Sequence, residues 1–148
     1  MKKIIVLVVG VLWAGLLAVH AETESPVTFD MLKQGKDIFE NNCIDCHELE
    51  WPLKKVTDRA GWEEILTKMA NTGAVLDPAD RNLVLEYLLA KSTFQKQCVL
   101  CHGTERSLEQ NKNFQSWMAT VRRMVGKRPG LLTEEQIRSV AGFLTVGM

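Results

Sequence analysis

Four cysteines and two histidines recur with one spacing at two places in the chain. The sequence reads Cys-Ile-Asp-Cys-His at residues 43–47 and Cys-Val-Leu-Cys-His at residues 98–102. Two thiols one helical turn apart can both bond to the same edge of a planar ring. The imidazole of the adjacent histidine can then offer a nitrogen lone pair to a metal at the centre of that ring. The spacing therefore indicates a covalently held, metal-containing cofactor in each segment.

This spacing is the attachment motif for c-type haem, in which thioether bonds fix the porphyrin and the histidine is an axial ligand of the iron. Its two copies predict two covalently attached haem c groups. The thioether-forming residues would be Cys43, Cys46, Cys98 and Cys101, and the proximal iron ligands would be His47 and His102. Zinc binding, a redox dithiol and disulfide bonds are the alternatives. A zinc site with two cysteines and a histidine lacks an obvious fourth ligand, and a redox dithiol needs no adjacent histidine.

The two motifs belong to an internal repeat with an offset of 55 residues. The same offset pairs Trp62 with Trp117 and Met69 with Met124. Further pairs are Phe39 with Phe94, Gly35 with Ala90 and Asp58 with Asn113; after one insertion, Tyr87 pairs with Phe143 and Leu88 with Leu144. The repeat predicts an all-α fold, a tandem of two small cytochrome c-like haem domains packed together. Their bounds would be residues 22–91 and 92–148, with a hinge near residues 91–93.

Each half is predicted to place its motif between a short preceding helix and two later ones. The second helix would begin near Arg59 or Phe114, and the closing helix would span residues 80–89 or 134–144. Asp58, Asn113, Asp77 and Thr133 are the predicted N-caps of these helices. A unit of about 60 residues buries too little apolar surface to be comfortably stable alone. A covalently bound haem would supply the missing stabilisation.

The second axial ligand of each iron must come from outside the motif. If His20 is removed with a signal peptide, the two motif histidines are the only ones left, so ligation by two histidines is excluded. The remaining methionines are Met31, Met69, Met118, Met124 and Met148. Only Met69 and Met124 recur at the repeat offset, each 22 residues after its histidine. We therefore predict that these two thioethers are the distal iron ligands, and we interpret Met118 as ordinary packing.

Both predicted ligands continue an apolar stripe on a helix. Trp62, Ile65, Leu66 and Met69 have the spacing of one helix face, and the second helix repeats it from Trp117 to Met124. Such a stripe is more often plain core, but here it could pack against haem. Trp62 and Trp117 could be core anchors, or could bind the haem edge and donate the indole N–H to a propionate. Lys68 and Arg123 could neutralise propionates or simply be solvated.

The N-terminus has the pattern of a secretory signal peptide at residues 1–21. Two lysines precede an apolar run of 16 residues and a small-residue cleavage site. An uncleaved membrane anchor is the alternative, although a spanning helix needs about 20 apolar residues. We expect a periplasmic or otherwise exported protein with no stable membrane span after cleavage. The formal net charge is zero, with no long run of either sign, so nucleic acid is not an expected partner.

The motif set resembles the class I cytochrome c superfamily, with Gly35 and Phe39 on the first helix and Tyr87 on the last. In most members the methionine ligand lies in a late loop, whereas Met69 and Met124 lie on helices that begin near a tryptophan. That variant is similar to the dihaem cytochrome domain of quinohaemoprotein amine dehydrogenases and to cytochromes associated with sulfite dehydrogenases. The resemblance covers nearly all of the mature chain. It implies electron relay from a periplasmic dehydrogenase toward a respiratory acceptor.

The expected function is electron transfer rather than catalysis. Two filled axial positions leave iron no open site for a substrate, and the expected partners are a dehydrogenase donor and a cytochrome or oxidase acceptor. One alternative is a small haem enzyme, a peroxidase or a sulfur-oxidising cytochrome, although removal of His20 with the signal peptide would leave no third histidine, and no spare cysteine, to act as a base or unusual ligand. Another is a gas or redox sensor in which one methionine dissociates.

Overall fold

The structure is a computed structural model that describes residues 26–147. The predicted signal peptide and Met148 lie outside this range. The described chain is all-helical, as predicted, without a strand between residues 26 and 147. Its helices are α1 (Phe29–Cys43), α2 (Glu50–Lys54), α3 (Arg59–Asn71), α4 (Pro78–Gln97), α5 (Glu105–Leu108), α6 (Phe114–Val125) and α7 (Glu134–Val146). A 3-10 turn, Cys98–Leu100, directly follows α4. None of the helices in the described range has the length and hydrophobicity that a bilayer-spanning segment requires.

Local capping sets the starts of the four helices that the sequence predicted. The side chains of Asp58, Asp77 and Asn113 each accept a hydrogen bond from a backbone N–H three residues later. Thr133 does the same with Gln136, whose side chain accepts in return from the Thr133 backbone N–H. These bonds satisfy amide groups that have no partner inside a helix. The predicted N-caps are therefore confirmed.

The centre of the molecule is formed by α1, α4 and α7, which pack against one another. A row of buried aromatic rings joins them, in the order Phe39, Tyr87, Phe143 and Phe94, with successive centroids 5.8, 5.9 and 5.5 Å apart. Gly35 lets α1 approach α4 closely, because a Cβ atom there would collide with the backbone carbonyl of Leu83. Helix α3 packs on α4 and α6 packs on α7, so α3 and α6 each rest on this core.

Helix α4 runs without a break through residues 91–93, where the sequence predicted a hinge. Residues on both sides of this point, including Leu88 and Phe94, are buried in the core. No proline or glycine lies between Pro78 and Gly103, so nothing in the local sequence ends the helix there. The closing helix of the first half therefore continues as the first helix of the second half, and the expected hinge is wrong.

Candidate functional site

The first motif lies beside two clefts that meet at His47 and Met69. One cleft has a volume of about 780 Å³ and the other about 370 Å³, and both side chains line both of them. Cys43 and Cys46 line the smaller cleft, whereas charged side chains such as Lys68 line the larger one. The structure thus brings together the two cysteines, the histidine and the methionine that the sequence selected. The volumes of the two clefts fall in the range of about 300–1,000 Å³ that is usual for ligand pockets.

The second motif has the same arrangement. His102 and Met124 line both of two clefts, with volumes of about 290 and 680 Å³. Cys98 and Cys101 again line the smaller cleft. In both halves the thiols therefore line only one of the two clefts that the histidine and methionine share.

Helix ends place the thiols of both motifs. Cys43 is the last residue of α1, and Cys98 is the first residue of the 3-10 turn after α4. All four cysteines are free of disulfide bonds. Burial, with a smaller contribution from the neighbouring cysteine, raises the pKa of the Cys43 thiol and raises that of Cys98 to about 11. Reactive dithiols have lowered pKa values, so this environment argues against the redox dithiol alternative.

Both motif histidines are held by one ring nitrogen. The Nδ1–H of His47 donates to the backbone carbonyl of Glu48 over 3.0 Å, and that of His102 donates to the carbonyl of Gly103 over 2.7 Å. This pairing fixes the tautomer in which Nε2 carries the free lone pair. Each imidazole therefore offers Nε2 as a metal ligand.

The predicted distal ligands differ in exposure. Met69 is half-buried, whereas Met124 is 40% exposed. In each helix the tryptophan of the same stripe, Trp62 or Trp117, is buried. Met118 is buried in the core, as expected for ordinary packing. Each thioether therefore reaches the clefts from a helix that its tryptophan anchors.

The two tryptophans have different surroundings. Trp62 is fully buried and lines neither of the first clefts, and its Nε1 donates to Oγ of Ser92 over 2.9 Å. This bond favours the core role for Trp62 over a role at a haem edge. Trp117 lines both second clefts, and its buried Nε1 has no hydrogen-bond partner among residues 26–147. Buried donors in native proteins are nearly always paired, so we expect a bound group to supply the acceptor for Nε1 of Trp117.

The donor set in each half suits haem c. Two thiols, an imidazole with a free Nε2 and a thioether line one pair of clefts in each half, which is what thioether attachment and two axial ligands require. In the second half, a haem propionate would also supply the acceptor that Nε1 of Trp117 lacks. Lys68 and Arg123 are both exposed and line the larger clefts, where a propionate could reach them.

No protein-family model, curated protein or solved structure matches this chain.

Lys91 is a residue that the sequence analysis did not select. It is fully buried, and its Nζ donates to the backbone carbonyls of Pro52, over 3.0 Å, and Lys55. The same Nζ lies 5.4 Å from the centroid of the Trp62 ring, and burial lowers the pKa of Lys91 to about 8. Lys91 thereby fastens the segment around α2, which borders the first clefts, to α4. Its place at helical spacing between Tyr87 and Phe94 was the available signal of burial.

Proposed function

We propose that this chain is an exported dihaem c-type cytochrome that transfers electrons. Its donor would be a periplasmic dehydrogenase or another reduced protein, and its acceptor a respiratory cytochrome or oxidase. The observation that carries the proposal is that each motif histidine lines the same pair of clefts as the methionine 22 residues downstream. An electron carrier, or an electron-transfer subunit, is favoured over an enzyme.

The roles of the residues follow from their chemistry. Cys43, Cys46, Cys98 and Cys101 would hold two haem c groups as thioethers. His47 and His102 would bind iron through Nε2, and Met69 and Met124 through sulfur. When bound, haem c supplies a reversible one-electron iron couple. Thioether ligation raises the potential of that couple relative to histidine ligation, because sulfur favours the ferrous state.

The packing of the core supports two equivalent units that share α4. The Phe39 and Tyr87 rings are 5.8 Å apart at an angle of 42°, and the equivalent Phe94 and Phe143 rings are 5.5 Å apart at 41°. Each pair joins the helix before a motif to the closing helix of the same half. We therefore propose a tandem of two cytochrome c-like units over residues 22–91 and 92–148, with the continuous helix α4 crossing their boundary.

A gas or redox sensor, in which one methionine dissociates from its iron, is the alternative. Rapid binding of carbon monoxide by one of the two ferrous haems would support the sensor. Two haems that stay low-spin and bind no carbon monoxide at neutral pH would support the electron carrier.

Mass spectrometry of the purified mature protein tests the proposal most directly. Two haem additions and the loss of residues 1–21 are expected, with a haemochrome spectrum showing two haems per chain. The double variant Cys43→Ala, Cys46→Ala should carry only one haem, and its matched counterpart Cys98→Ala, Cys101→Ala should also carry one. A correctly matured wild-type chain without porphyrin absorbance, or two haems still attached in either double variant, would refute the site assignment.

A further inference from the structure

The two halves of the described chain carry opposite charge. Residues 26–91 contain twelve acidic and eight basic side chains, whereas residues 92–147 contain four acidic and eight basic ones. The chain as a whole is formally neutral, so this division is hidden in its composition. The molecule therefore presents an acidic half and a basic half to its surroundings.

The division is sharpest at the clefts. The first pair is lined by the acidic residues Asp45, Glu48, Glu50 and Glu64 and the basic residues Lys55 and Lys68. The second pair has one acidic lining residue, Glu105, against five basic ones, Arg106, Lys112, Arg123, Lys127 and Arg128. The side chains that line the two candidate haem sites therefore carry net charges of opposite sign.

Most of the basic side chains around the second clefts are available to a partner. Arg106, Arg123, Lys127 and Arg128 are exposed, and none forms an ion pair within residues 26–147. Lys112 is half-buried, with Nζ 4.6 Å from the centroid of the Trp117 ring. The four exposed charges are thus not neutralised by the fold.

The fold itself does not need these charges. At the repeat offset, Arg106, Lys112, Lys127 and Arg128 correspond to the uncharged Trp51, Thr57, Thr72 and Gly73. The equivalent helices α3 and α6 nevertheless form in both halves with the same type of cap. These four basic residues are therefore better explained by binding to a partner than by folding.

Exposed apolar side chains adjoin this basic rim. Val99 and Leu100, between the two cysteines of the second motif, are 51% and 54% exposed. An apolar centre with a charged rim is the usual anatomy of a protein–protein interface. We infer that this face of the second half docks an acidic redox protein, which exchanges electrons through the second site; the inference rests on the proposed function.

The charge distribution selects a compact acidic protein surface as the partner. The excess of positive over negative side chains lies around one pair of clefts, and the other half of the chain carries a net negative charge. An extended polyanion, such as nucleic acid or an anionic bilayer, would also meet and be repelled by the acidic half. A partner with one acidic patch meets only the basic rim.

Charge-reversal variants test the docking face. The double variant Arg106→Glu, Arg128→Glu changes two exposed rim charges, and Lys33→Glu, Lys54→Glu is the control with the same change in net charge on exposed residues of the first half. The probe is a flavodoxin, an acidic electron carrier. Binding of the oxidised flavodoxin is measured by titration calorimetry, and electron transfer from its reduced form by stopped flow, at ionic strengths of about 20 and 300 mM.

At the low ionic strength, wild type should bind flavodoxin more tightly and accept electrons from it much faster, as expected for attraction between opposite charges. The Arg106, Arg128 variant should lose at least about tenfold in affinity and rate at low ionic strength, and most of the salt dependence. The control should stay within about threefold of wild type. Equal losses in the two variants, or no loss in either, would overturn the inference.

Two further outcomes would also overturn it. The partner would instead be a bilayer if the wild type bound vesicles with anionic headgroups and only the Arg106, Arg128 variant lost that binding. Self-association at low ionic strength that this variant abolishes would make a second copy of the chain the occupant. Haem content and calorimetric binding are measured independently, so a chain without haem refutes the proposed function, whereas a haem-loaded chain with no charge-dependent binding refutes only the docking face.

Discussion

The indole Nε1 of Trp62 donates a hydrogen bond of 2.9 Å to Oγ of Ser92, and both side chains are buried. Ser92 lies on α4, so this bond fastens α3, which carries Met69, to the central helix. The equivalent Trp117 on α6 has no such acceptor among the described residues, and its Nε1 is buried and unpaired. One tryptophan thus completes its hydrogen bonding within the fold, and the other leaves a donor at a cleft.

Replacing Ser92 with alanine should destabilise the protein. The Ser92→Ala variant leaves Nε1 of Trp62 buried without an acceptor, so we expect the free energy of unfolding to fall by about 1–3 kcal/mol. Guanidinium titration of the haem-loaded protein measures this change. The exposed Ser116→Ala serves as the control, with an expected effect of less than about 0.5 kcal/mol. Equal effects of the two substitutions would contradict a role for the Trp62 hydrogen bond in stability.

Replacing Trp117 with phenylalanine should change the second haem alone. Phenylalanine keeps an aromatic ring but removes the N–H donor, so a propionate paired with Trp117 would lose a hydrogen bond. We expect the reduction potential of one haem, and its dependence on pH, to shift in spectroelectrochemical titrations at acidic, neutral and alkaline pH. The matched Trp62→Phe variant should lose stability but leave the pH dependence of both potentials unchanged. If both reduction potentials were unchanged in Trp117→Phe, Trp117 would be a core residue without a role at the haem.

Removing the Met69 side chain should convert the first haem to a high-spin form. Met69→Ala deprives that iron of its thioether ligand, so its absorption spectrum should change and its potential should fall, while the second haem keeps both. Met118→Ala is the control, because Met118 is buried but lines none of the four clefts at the two motifs. That substitution should cost about 2–5 kcal/mol of stability yet leave both haems low-spin. A Met69→Ala protein with the wild-type spectrum would remove Met69 from the ligands.

Lys91 should make stability rise with pH in the alkaline range. Burial lowers its pKa from 10.5 to about 8 in the folded protein. Between these two values the unfolded chain binds more protons than the folded one, so the free energy of unfolding increases with pH. Below about pH 8 both states are protonated, and the unfavourable contribution of the buried cation is constant.

The Lys91→Met variant isolates this effect, because methionine fills similar space and does not titrate. The free energy of unfolding of wild type minus that of the variant should increase as the pH is raised through this window. Chemical unfolding at a series of pH values measures the difference. A difference that stays constant with pH would show that Lys91 titrates alike in the folded and unfolded states.

The sequence alone determined the features that depend on neighbouring residues. The N-caps at Asp58, Asn113, Asp77 and Thr133 were predictable because a cap bonds to an amide only three residues away. The motif spacing and the repeat likewise selected His47 with Met69 and His102 with Met124, and the structure places each pair at shared clefts. A regular helix fixes which side chains share a face, so the tryptophan and the methionine of each half were predictable as one stripe.

Only the tertiary structure decided how the halves join and which polar groups are buried. The sequence predicted a hinge at residues 91–93, but packing of α4 against α1 and α7 keeps this segment helical and buries Lys91. The difference between Trp62 and Trp117 was equally hidden, since Ser92 is 30 residues from Trp62. Burial and pairing depend on contacts between distant segments, and such contacts exist only when the helices have packed.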